Sequence, residues 1–131
     1  MLMTTMWVAL GGALGSVCRF WLGMTVAERL EEVFPWGTLT VNVLGSFIIG
    51  FTAVLTGPDG RLYVPTDARI FVIAGFCGGF TTFSTFSLQT LTLLRDGDMT
   101  RAGLNIVVSV AACLLSVWLG AVVAGLINQS R

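Results

Sequence analysis

The sequence predicts an all-α integral membrane protein, one domain of four transmembrane helices with the third broken near its middle. Three observations carry that prediction. Of 131 residues, 55% are hydrophobic and 11% charged. Soluble domains carry about 25% charged residues, so there is too little charge here to cover a water-facing surface. The charges also cluster, leaving four uncharged runs at residues 1–18, 33–58, 70–94 and 102–130. A span takes about 20 apolar residues, so four spans use nearly the whole chain. Finally, the third run contains residues 75–87, Gly-Phe-Cys-Gly-Gly-Phe-Thr-Thr-Phe-Ser-Thr-Phe-Ser, where three glycines, three threonines and two serines crowd into thirteen positions. Lipid alone asks for none of these.

The first span is expected over residues 4–27. Gly11/Gly15 and Gly12/Ser16 are small-residue pairs that let helix backbones approach closely. The run has no positive segment before it, so it reads as a retained span and not a cleaved signal. Arg19 interrupts it well before its end. Such a charge either snorkels to the interface or faces water, where it would attract anions. Residues 28–36 form a loop with Glu28, Arg29, Glu31 and Glu32. Trp36 after Pro35 suits the headgroup belt.

The second span, residues 38–55, places Thr38, Asn42, Ser46 and Gly50 at i+4 intervals, along one helix face. Asn42 reads either as interhelical glue or as a pore-lining donor. Gly57-Pro58-Asp59-Gly60 is a turn, and a polar stretch follows to about Asp67.

The third span, residues 70–94, would be about 37 Å long as one helix, more than a hydrocarbon core of about 30 Å. It must tilt or break. Gly75, Gly78 and Gly79, followed by Thr81 and Thr82, place the break near the middle. Non-helical backbone at that depth needs protein or a water-filled cavity around it. It frees carbonyls for a cation and amides for an anion. Phe76, Phe80, Phe83 and Phe86 recur at three and four, interleaved with Ser84 and Ser87. Packing accounts for rings taken alone, and bonds to their own helix carbonyls account for hydroxyls taken alone. Their interleaving favours an ion path. The fourth span, residues 102–127, carries Ser109, Cys113 and Ser116 along one side, with the pairs Gly120/Ala124 and Ala121/Gly125. Trp118 sits deep in this span and needs an acceptor for its indole N–H.

Composition also excludes. Seven arginines balance seven acids with no lysine, which leaves no basic patch for nucleic acid. There is no histidine, and Cys18, Cys77 and Cys113 all fall in spans without a Cys-x-x-Cys pair, as small buried hydrophobes do. No Asp, Glu or Lys lies inside a span. Proton-coupled exchange generally uses an intramembrane carboxylate, and nucleophilic catalysis lacks a base, so the chain does not read as an enzyme. What remains is uncharged donors and the positive edges of aromatic rings. These suit a small, strongly hydrated anion, and fluoride is the one that compact hydroxyl and amide donors match best.

Four spans put Arg61, Arg69 and Arg131 on one side and Arg19, Arg29, Arg95 and Arg101 on the other. The positive-inside rule finds almost no bias in that difference. The implication is dual topology, and with it an antiparallel homodimer whose two-fold axis lies in the membrane plane and whose interface can enclose a pore.

The sequence resembles the CrcB/Fluc family of small bacterial fluoride channels. The likeness is carried by residues 11–19 (Gly-Gly-x-x-Gly-x-x-x-Arg), 37–42 (Gly-Thr-Leu-Thr-Val-Asn) and 75–87, and it extends over all four spans. It implies a multi-pass protein of the bacterial inner membrane that passively exports fluoride, as a dual-topology antiparallel homodimer with two pores. By position, Phe83 and Phe86 would turn ring edges to the ion and Asn42 would be the pore carboxamide. Ser84, Thr85 and Ser87 would supply hydroxyls along or beside the path, and Arg19 would sit near an aqueous vestibule. Gly78 and Thr81 would offer backbone carbonyls to a structural sodium ion on the dimer axis. Phe80, where a leucine is expected, and Cys113, where relatives can carry a serine, depart from the pattern. A small multidrug-type exporter shares four spans and dual topology but needs the missing carboxylate. A non-transporting scaffold held by glycine pairs leaves the interleaving of rings and hydroxyls unexplained.

Overall fold

The computed structural model describes residues 1–30 and 33–130. Glu31 and Glu32 of the expected first loop, and Arg131 of the arginine balance, lie outside the described residues. The described chain is helical, without strands. Four helical segments are long and apolar enough to cross a membrane: Leu2–Arg29, Trp36–Leu55, Thr66–Arg95 and Met99–Gln129. Most of their ends reach beyond the expected spans because polar ends can be capped. At the last of them Asp98 accepts from the Arg101 amide at 2.9 Å and pairs with its guanidinium at 2.8 Å, which satisfies helix-end donors that hydropathy does not see. Trp36 opens its helix instead of closing the loop, with its ring tilted on Phe34 at 4.8 Å.

The first two segments are the uniform helices α1 (Leu2–Arg29) and α2 (Trp36–Leu55). The third is composite. It begins as α3 (Thr66–Ile70), runs through a π-helical stretch Phe71–Cys77, and makes one more turn as α4 (Gly78–Phe80). Thr81 (φ −86°, ψ 158°) and Thr82 (φ −152°, ψ 108°) are extended before α5 (Phe83–Arg95) begins. The three glycines expected to unwind the chain therefore stay helical, and the two threonines leave the helix. β-Branched side chains take extended backbone readily, whereas Gly75 and Gly79 are needed for close approach. The last segment is α6 (Met99–Gln129).

That close approach organises one half of the molecule. A Cβ on Gly11 would meet the Phe71 carbonyl and the Phe76 amide, and one on Gly15 would meet the Phe76 carbonyl and the Phe80 amide. On the facing side, a Cβ on Gly79 would strike the Gly12 backbone. The α1 backbone thus lies directly on the π-helical stretch and α4, with Ser16 Oγ donating to the Gly79 carbonyl at 3.4 Å.

The other half pairs α2 with α6. Gly50 faces the Val117 carbonyl, Gly120 faces the Phe47 carbonyl, and Ser116 Oγ donates to the Val43 carbonyl at 2.7 Å. The buried residues of α6 are Ala102, Asn105, Ser109, Ser116, Gly120 and Ala124, one stripe at helical spacing. Gly125, of the second small-residue pair, has nothing within 4 Å of its Cβ position, so that pair is unpacked in the single chain. Trp118 is 58% exposed. It faces outward, where lipid would be, and not into a buried site that must supply an acceptor.

Candidate functional site

Two extended residues at membrane depth have peptide groups that the helix no longer pairs, and the partners they find define the site. In a continuing helix the Thr82 amide would bond the Gly78 carbonyl. Here it donates to Asn42 Oδ1 at 2.7 Å, while the Thr82 carbonyl accepts from Asn42 Nδ2 at 3.0 Å. A carboxamide carries the same donor and acceptor as a peptide group, so one side chain satisfies both. Thr82 Oγ1 then caps α5: it accepts from the Thr85 amide at 3.2 Å, donates to Thr85 Oγ1 at 2.9 Å, and lies 3.3 Å from Ser84 Oγ. Thr81 turns its hydroxyl back to the Cys77 carbonyl at 2.9 Å, and its own carbonyl accepts from Arg19 Nη1 at 3.2 Å. Arg19 is half-buried and reaches across to the extended residues instead of snorkelling away.

Two open cavities flank this junction. The first, about 460 Å³, is lined in part by Arg19, Thr38, Thr82, Thr85 and Gln89. The second, about 520 Å³, is lined in part by Asn42, Ser46, Phe83, Phe86, Ser109 and Cys113. Thr82 belongs to the first wall and Asn42 to the second, so their mutual hydrogen bonds stand between the two spaces. The i+4 row on α2 is divided accordingly. Thr38 faces the first cavity, Asn42 and Ser46 the second, and Gly50 is taken up in packing against Val117. Among the described residues lining either cavity, Arg19 is the one that carries a charge.

The four phenylalanines divide into two pairs. Phe76 and Phe80 stack at 5.5 Å with nearly parallel rings, and buried Phe80 packs against Gly45, so this pair belongs to the core. Phe83 and Phe86 are tilted by 47° at 5.2 Å and both border the second cavity. Phe86 is 8% exposed and Phe83 75% exposed. Of the three hydroxyls assigned beside them, Thr85 faces the first cavity. Ser84 is engaged with Thr82, and Ser87 donates to its own helix at the Phe83 carbonyl, 2.9 Å away. Both serines are exposed, and neither is in the lining of either cavity.

Sequence reasoning treated Asn42 as the carboxamide of the spans and passed over two others, Gln89 and Asn105. Gln89 lines the first cavity, and its buried Oε1 has no hydrogen-bond partner among the described residues. Asn105 is buried against Thr90 and Ser109. Spacing was the available signal, since Gln89 follows Thr85 by four residues and Asn105 precedes Ser109 by four. For metal binding, the described residues hold no group of three or more His, Cys, Asp or Glu. Gly78 and Thr81 do border the second cavity. Because the Thr82 amide is bound to Asn42, the Gly78 carbonyl lacks its usual helical donor, as a cation-ligating carbonyl should. The Thr81 carbonyl has likewise left the helical ladder, since the Thr85 amide is bound to Thr82 Oγ1, and it accepts from Arg19.

The family described as CrcB-like protein, Camphor Resistance (CrcB), matches residues 6–121, a range that takes in Arg19, Asn42, the extended threonines and both cavities. A protein of Methylocella silvestris named fluoride-specific ion channel FluC is 57% identical over 129 residues, 98% of each chain. One of the same name from Opitutus terrae is 61% identical over 126 residues, 96% of each chain. A third, from Paramagnetospirillum magneticum, is 58% identical over 122 residues, 93% of this chain and 95% of its own. With the family matched across most of its length and relatives this similar across nearly all of it, the chain belongs to the CrcB-like family.

Proposed function

We propose that the protein is a fluoride-selective channel of the bacterial inner membrane that lets fluoride leave the cytoplasm passively. The observation that carries this reading is the Asn42–Thr82 junction between two cavities, with Arg19 on one side and Phe83 and Phe86 on the other. Among the described residues, every polar side chain lining those cavities is uncharged or positive. The names carried by the similar proteins support fluoride as the ion.

An anion entering the first cavity meets the field of Arg19 and the hydroxyls of Thr38 and Thr85. Each donor replaces a water that the ion gives up, and in a water-poor site such bonds are stronger than in bulk. Beyond Asn42 the rings present positive edges, which hold an anion without the tight grip of a fixed charge.

The pore of this reading is completed by a second, antiparallel copy. The 75% exposure of Phe83 and the open space around Gly78 support that face as the interface, and the even arginine distribution supports insertion in both orientations. In that dimer the break in the third span lies on the axis. The Gly78 and Thr81 carbonyls of both copies would hold a structural sodium ion, which would neutralise the facing carbonyls and draw the two breaks together.

The test is fluoride efflux from liposomes, followed with a fluoride electrode. Fluoride should leave down its gradient while chloride is retained. Equal chloride efflux would overturn the selectivity, and no fluoride efflux from monodisperse protein would overturn the channel. Phe83→Ile and Phe86→Ile should each slow efflux on the order of tenfold, about 1.4 kcal/mol of barrier. Unchanged efflux in both variants reduces the rings to packing.

A further inference from the structure

Behind the wall of the second cavity lies a buried polar chain that the channel reading does not use. Asn105 is 1% exposed. Its Nδ2 donates to Thr90 Oγ1 at 2.9 Å, and its Oδ1 accepts from Ser109 Oγ at 3.2 Å. Thr90 Oγ1 in turn donates to the Phe86 carbonyl at 2.8 Å.

The direction of this chain is fixed end to end. A threonine hydroxyl has one proton, and that of Thr90 is on the Phe86 carbonyl. Thr90 can then only accept from Asn105, so the amide nitrogen faces it and the amide oxygen faces Ser109. Both ends of the chain, Ser109 and Phe86, line the second cavity, while Asn105 and Thr90 do not. Among the described residues, Asn105 to Thr90 is the one side-chain hydrogen bond joining α5 to α6. The junction at Thr82 fixes the start of α5, and this bond fixes it two turns further on.

We propose that Asn105 is a positioning residue that locks α5 to α6 at Thr90 and so sets where Phe86 and Ser109 stand in the cavity wall. It acts through these two residues and does not itself meet the ion. Its consequence for flux rests on the channel reading; its consequence for the wall does not.

Cys113 is half-buried in the same wall and serves as a native reporter. The full-length protein is treated with methyl methanethiosulfonate. The Cys113 thiolate attacks the sulfenyl sulfur, forms a mixed disulfide and releases methanesulfinate, its proton going to buffer. Modification of Cys113 is followed by peptide mass. Asn105→Leu and Thr90→Val should each raise its rate at least about fivefold, the population change expected for losing the one hydrogen bond that joins α5 to α6. The double variant should rise by clearly less than the product of the two single effects, because both remove the Asn105–Thr90 bond and each adds only one further loss, at Ser109 or at the Phe86 carbonyl. Thr90→Ser, which keeps the hydroxyl but loses the methyl, should react at the wild-type rate.

Unchanged rates in both single variants overturn the proposal. So does a multiplicative rise in the double variant, which would mark two independent packing defects. If Asn105→Leu does not yield monodisperse protein, the contrast between Thr90→Val and Thr90→Ser decides. Fluoride efflux from the same samples is scored separately. A wild-type protein that passes no fluoride would sink the channel reading and leave the labelling result intact.

Discussion

The third membrane segment is held from two sides by opposite means. Against α1 it is held by shape. Gly11 and Gly15 lie so close to the backbone of residues 71–80, and Gly75 and Gly79 so close to that of α1, that Cβ atoms added at these four would strike backbone. Against α2 it is held by specific atoms, the carboxamide of Asn42 on both peptide groups of Thr82. The seam is made of many small contacts without direction, and any group of the wrong size breaks it. The junction is two directed bonds, and a group of the right size with the wrong atoms breaks it. On the channel reading, stability and ion handling therefore have separate supports on one segment, which gives four ways to test the separation.

The largest effect should come from the seam. Gly15→Leu drives a side chain into the Phe76 carbonyl and the Phe80 amide. It should cost about 3 kcal/mol or more, read as loss of the monodisperse peak in detergent. A well-folded Gly15→Leu protein would show that α1 can move away and that the seam is not a support.

Asn42→Asp comes next. The carboxylate still accepts from the Thr82 amide but cannot donate to its carbonyl, and it sets a negative charge between the cavities. Fluoride efflux should fall about thirtyfold, roughly 2 kcal/mol of barrier, while the protein stays monodisperse. Normal efflux would make Asn42 interhelical glue alone.

Thr82→Ala keeps both backbone hydrogen bonds to Asn42 and removes the α5 cap together with the hydroxyl's bonds to Thr85 and Ser84. A loss of about 1 kcal/mol is expected, measured as a lower melting temperature. A loss as large as that of Gly15→Leu would show that the junction, too, carries the fold.

Ser16→Ala should do least. Ser16 is the one polar member of the seam, and its 3.4 Å bond to Gly79 is long. A change of less than about 0.5 kcal/mol confirms that the seam works by shape, and a change as large as that of Thr82→Ala argues that it does not.

Much of this was legible in the chain. Charge clustering fixed the four spans, because a charge in hydrocarbon is costly wherever the helix later packs. The pairs Gly11/Gly15 and Gly12/Ser16 announced a close contact, and the row Thr38, Asn42, Ser46 announced a polar face. The site was less legible. Of the residues expected at the break, the three glycines are helical and only Thr81 and Thr82 are extended. A glycine's small size and its flexibility leave the same mark in sequence, and only the α1 backbone lying on Gly75 and Gly79 tells which is used. Ser84 and Ser87 share a periodicity with the phenylalanines but stand about 100° further round the same helix, and neither is in a cavity wall.

The sequence by itself determined that this is a four-span membrane protein and which stretch of it is too polar for lipid, since hydropathy is summed locally and needs no partner. Only the tertiary structure decided what that stretch does with its unpaired groups. Asn42 lies 40 residues from Thr82 and Arg19 lies 62 from Thr81. No local periodicity couples positions so far apart; they meet because the glycine seam and the α2–α6 pairing bring their helices together around the two threonines.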